Sequence, residues 1–159
     1  MRMRTAKLSA MLAGAAFLAA AAQPAALAQA SVPSARTMAS ADEPAYFEVT
    51  DITRETYIVK LVEPAEIEHA RELVAGETTD RPHLIGRIVK RTAPYSPRWS
   101  YRLQPESVHF FDNAIEVCDA TIPYVEEHLD EAGGAFLPGL VWCDWSSRLV
   151  REVPKPTRG

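Results

Sequence analysis

From residue 44 to residue 153 the apolar positions follow two periods. Ala45, Phe47 and Val49 alternate with Tyr46, Glu48 and Thr50, and a second β-prone run, Thr56–Leu61, follows the polar stretch 51–55. Alternation on both sides of a polar turn predicts an antiparallel hairpin. Pro64 then stands where a first helical position belongs, with Glu66 in the first turn. Ile67, Ala70 and Val74 recur at helical spacing, and Gly76 supplies a stop. Residues 84–91 read as a third strand, kinked or bulged at Gly86. Residues 99–104 read as a fourth, with Trp99, Tyr101 and Leu103 sharing one side, and 108–111 and 114–117 are further β-like runs. Ile122, Val125, Leu129 and Ala132 predict a second amphipathic helix, capped by Asp119 or Thr121 and ended by Gly133-Gly134. A loop rich in Gly and Pro leads to Trp142, and 149–153 closes as an edge strand. Strands interrupted by unevenly spaced helices predict an α+β fold: an antiparallel sheet of about five strands with two amphipathic helices.

The N-terminal segment has a different character. Arg2, Arg4 and Lys7 precede an uncharged apolar stretch at 8–22, and Ala26-Leu27-Ala28 fits the small-x-small cleavage rule. The pattern predicts a signal peptide at 1–28 and an extracellular, secreted protein. Residues 29–43 read as a flexible leader, 44–153 as a single domain and 154–159 as a disordered tail. Cleavage after Ala28 removes three cations and no acid, so the formal charge moves from −4 to −7. That balance argues against nucleic acid as a partner, and nothing beyond the leader is long and apolar enough to span a membrane.

Export also sets the expectation for Cys118 and Cys143, the two cysteines of the chain. In an oxidising compartment they are expected to pair, and closing that loop is worth roughly 3.5 kcal/mol. The alternative is a thiol nucleophile beside a histidine. The histidines, His69, His83, His109 and His128, show no metal-binding spacing, and His69 and His128 lie off the apolar stripes of their helices. There is no G-x-S-x-G, G-x-x-x-x-G-K or H-E-x-x-H. Glu126, Glu127, Asp130 and Glu131 gather acids on the second helix and make a weak candidate for calcium, since a straight helix face splays its carboxylates apart. The hairpin turn at Asp51 and Glu55 is a second weak candidate. No other cofactor is implied.

Aromatic residues carry more. Tyr95 stands in the segment Thr92-Ala93-Pro94-Tyr95-Ser96-Pro97-Arg98, whose prolines suit a rigid, presented loop. Trp99, Trp142 and Trp145 are each readable as core rings or as anchors for a partner.

Four segments resemble a known family: Trp99-Ser100-Tyr101-Arg102-Leu103-Gln104-Pro105, Ile115-Glu116-Val117-Cys118-Asp119, Tyr124-Val125-Glu126-Glu127-His128-Leu129 and Trp142-Cys143-Asp144-Trp145-Ser146-Ser147. They are similar to small secreted proteins common in actinomycetes, some labelled calmodulin, with related domains at the N-termini of slime-mould proteins. The resemblance covers about residues 45–153 and implies no particular activity. The calcium loop that the label would require is missing here. The family pattern W-S-[FY]-H-L-D-P has Arg102 for its His and Gln104 for its Asp in this chain, and C-P-W-S-S has Asp144 for its Pro.

The residues therefore predict a secreted, non-catalytic binding module that presents loops to an extracellular protein or glycan, an inhibitor of exported proteases being one form. A calcium-dependent extracellular protein is the alternative. A small secreted hydrolase, using for instance His109 with Asp112, is the second.

Overall fold

A computed structural model describes residues 43–156. The predicted signal peptide at 1–28, the leader up to residue 42 and the last three residues of the predicted tail lie outside the described residues.

The hairpin forms where the alternation placed it. Strands β1 (Ala45–Thr50) and β2 (Thr56–Leu61) pair antiparallel, Ala45 opposite Leu61 and Thr50 opposite Thr56. Ala45, Phe47 and Val49 are buried with Tyr57, Val59 and Leu61, the inward positions of the two strands. Helix α1 (Pro64–Ala75) follows, with Pro at its start. Gly76 ends it at φ +71°, its N–H bonded to the carbonyls of the last turn, a left-handed cap that glycine adopts without Cβ strain. Ile67 and Ala70 are buried, whereas Val74 at the end of the helix is exposed.

Strand β3 (His83–Val89) is the centre of a second sheet. It pairs antiparallel with β4 (Arg102–Leu103) through its last residues, with β5 (His109–Phe111) through its first, and with β8 (Val141–Asp144) on its other edge. Gly86 stays in regular register opposite Trp142 and makes no bulge. Its glycine serves a close approach: a Cβ there would lie 3.1 Å from Leu103 Cδ1 and 3.4 Å from Val108 Cγ2. Strand β9 (Arg148–Val153) adds to β1, giving the first sheet the order β2-β1-β9.

The region between these elements corrects the α+β expectation. The second helix, α2 (Ile122–Glu127), is six residues long, and 3-10 turns occupy Pro105–Ser107 and Glu116–Cys118. His128 leaves helical geometry at φ −116°. Beyond it β6 (Ala132–Gly133) pairs in parallel with β7 (Phe136–Pro138), a third, two-stranded sheet in what reads as loop. Leu129 and Ala132 reach the core from turns rather than from a helix. The described residues thus form a mostly β structure of nine strands in three sheets, with α1 as the one substantial helix. The expected disulfide is present, joining Cys118 to Cys143 with Cα atoms 5.1 Å apart.

Candidate functional site

An aromatic stack occupies the main core. Trp142 is 1% exposed, donates Nε1–H to Ala120 O at 2.7 Å and meets Tyr57 and Tyr101 edge-on, each ring centroid 5.6 Å away. Burial pushes both phenols above their ordinary pKa. Trp99 is also buried and donates Nε1–H to Thr56 O at 2.8 Å. Trp145 packs half-buried beside the disulfide and against Phe111, with centroids 6.1 Å apart. Of the four rings singled out in the sequence, Trp142 and Trp99 are therefore core, and Tyr95 is the one that lines a cavity.

That cavity is an open groove of about 450 Å³, within the range of small-ligand sites. Tyr95 and its neighbours Arg91, Thr92, Ala93 and Pro94 form one wall. Lys60 comes from β2, Arg102 from β4, and Gln104, Pro105 and Glu106 from the turn that follows. The Tyr95 loop is well anchored. Ser96 N–H bonds Ala93 O at 3.0 Å, Ser96 Oγ accepts from Ile58 N–H of β2, and Arg98 pairs with Glu55 while lying over the Trp99 ring. Tyr95 itself rests on Tyr46, with centroids 5.3 Å apart. Burial raises the Tyr95 phenol above its ordinary value against the pull of the neighbouring Arg102 guanidinium. Among the described residues, Lys60, Arg91 and Arg102 enter no ion pair. Three unpaired cations thus face one carboxylate in a groove on an acidic protein.

The acids behave differently from a cation site. Glu126 spends its carboxylate on Ser100, accepting from the N–H at 2.9 Å and from the hydroxyl at 2.6 Å. Glu131 meets His128, and both Asp130 and Glu131 lie past the end of α2, so Glu126, Glu127, Asp130 and Glu131 share no helix face. Asp51 is buried with both oxygens occupied: Oδ1 accepts from Thr53 N–H and hydroxyl, and Oδ2 from Ile122 N–H at 2.7 Å. No group of three or more His, Cys, Asp or Glu among the described residues is arranged to hold a metal ion.

Asp144 reads in the sequence only as a departure from a motif. In the structure it is 1% exposed, and its Oδ1 accepts from Ser146 N–H and hydroxyl at 2.9 and 2.7 Å, while Oδ2 has no partner. Burial pushes its pKa up to about 6, with Asp51 and Asp119 adding repulsion and the Ser146 bonds opposing.

The histidines do not assemble a catalytic pair. His109 Nδ1 lies 3.3 Å from Glu66 Oε1, whereas Asp112 accepts the Arg81 N–H at 2.7 Å, so the two residues of the hydrolase reading have separate partners. His69, expected on a solvated face, is buried against Phe110 with Nε2 3.4 Å from Arg81 O. His128 stacks on Tyr124, with ring centroids 4.2 Å apart. No described helix is long and apolar enough to cross a membrane.

No curated protein and no solved structure matches the chain. A family match does exist, and it spans the whole described region: residues 43–156 fit the BP-74 N-terminal domain, and the chain belongs to that family.

Proposed function

We propose that this protein is an exported, non-catalytic binding module that engages an extracellular protein or glycan through the Tyr95 loop and the groove it walls. The carrying observation is that Tyr95, on an anchored loop, lines an open groove with three unpaired cations. A loop held by Ser96, Arg98 and Trp99 has little conformational freedom left to lose on binding, which favours recognition by a fixed surface. The export signal predicted at residues 1–28 supports an extracellular setting, and the paired cysteines suit it.

The test presents the oxidised domain to a panel of exported proteases and to an array of glycans, beside Tyr95→Ala. Binding that Tyr95→Ala abolishes, at an unchanged melting temperature, is the expected result. A ligand bound equally well by the variant would overturn the assignment of this groove.

A further inference from the structure

We propose that the groove is a subsite for an acidic saccharide, a sugar carrying a carboxylate or sulfate; this rests on the binding-module reading above and deepens it. The lining divides into three chemistries. Arg91 and Arg102 offer planar guanidinium forks, and Lys60 adds a point charge, against the single carboxylate of Glu106. Guanidinium forks match the oxygens of carboxylate or sulfate in bidentate geometry. Thr92 and Gln104 add a neutral hydroxyl and a neutral amide, groups that exchange hydrogen bonds with sugar hydroxyls. Tyr95 adds an aromatic ring held in place by Tyr46, a platform for the apolar face of a pyranose.

An acidic peptide fits this lining less well. Extended peptides bind through main-chain hydrogen bonds along a free strand edge. Here Pro94 and Pro105 have no N–H to offer, and the Ile58 N–H of β2 is already bonded to Ser96 Oγ.

The experiment titrates the mature, oxidised domain calorimetrically with a galacturonic acid hexasaccharide, a sulfated heparin hexasaccharide, neutral maltohexaose and a poly-glutamate peptide of matched charge. One or both acidic sugars should bind, the stronger of the two identifying the anionic group, and the neutral sugar and the peptide should not. Arg102→Ala should weaken binding by about tenfold or more, as loss of a charge-assisted pair does. Tyr95→Phe should bind like the parent and Tyr95→Ala should not, with both variants melting near the parent. Failure of both acidic sugars overturns the proposal, and so does equal binding of the peptide, which would mean bare charge attraction. If the sugars fail while a protease or neutral glycan still requires Tyr95, the binding-module reading stands without the acidic-saccharide subsite. If no ligand from any panel depends on Tyr95, both fall.

Discussion

The carboxylate of Asp51 and the N–H of Ile122 lie 71 residues apart in sequence and form a buried hydrogen bond of 2.7 Å. One side chain thereby closes the β1–β2 turn through Thr53 and satisfies an otherwise unpaired N–H at the start of α2. Asp51→Ala should cost about 2–4 kcal/mol, because it strands buried donors as well as removing bonds. Asp51→Asn should be nearly as damaging. Its amide turns an NH₂ either toward Ile122 N–H or toward the Thr53 donors, so one acceptor is always lost. Urea unfolding of the two variants checks this; an asparagine variant as stable as the parent would contradict it.

Asp144 makes stability depend on pH in the direction opposite to that of a salt-bridged acid. Unfolded, its carboxyl ionises near the ordinary 3.8; folded, burial holds the proton to about 6. Between those values the folded state binds a proton that the unfolded chain has released. The group's contribution is therefore full below 3.8 and is lost as the pH rises through 6. At about 1.4 kcal/mol per pH unit, the window is worth at most about 3 kcal/mol. Asp144→Asn stays neutral, so it should exceed the parent in stability at pH 7.5 and lose that advantage by pH 4. Parallel unfolding curves at those two pH values measure the difference.

The disulfide links residues 25 apart, from the 3-10 turn before α2 to the middle of β8. Replacing both cysteines with alanine should lower stability by about 3 kcal/mol through the freed loop. Chemical denaturation of the double variant reads this directly, and a loss under 1 kcal/mol would show that the bridge constrains little.

Gly86 tests the packing between β3 and its neighbours. A methyl group there must displace Leu103 Cδ1 from 3.1 Å, so Gly86→Ala should destabilise by about 1–3 kcal/mol despite the better strand propensity of alanine. The double variant with Leu103→Ala makes room for the methyl. It should show a coupling of opposite sign in a double-mutant cycle.

The pairing of β1 with β2 and the limits of α1 were legible because each rests on local signals: alternation around a polar turn, a Pro start and a Gly stop. The end of α2 was not. Ile122, Val125, Leu129 and Ala132 keep helical spacing, yet the chain leaves the helix at His128, whose ring packs with Tyr124 and Phe136. Tertiary packing there outweighs the period. Likewise β7 and β8 lie in a Gly/Pro-rich stretch whose partners, Ala132 and the strand containing Gly86, are set by the fold and not by neighbouring residues. At the groove, Tyr95 was visible as a ring in a proline-bounded loop, and Arg102 and Gln104 as departures from a motif. Lys60 and Arg91 carried no signal, since only the pairing of distant strands brings residues 60, 91 and 102 to one cavity.

The most direct test of the binding-module account is the backbone NMR spectrum of the mature domain, recorded as the acidic hexasaccharides are added. The account predicts saturable shifts at Thr92, Tyr95, Arg102 and Gln104, with Asp51, Asp119 and Ser146 unmoved. Shifts centred on the Asp144 and disulfide region, or none at all with these sugars and with every partner from the protease and glycan panels, would contradict it.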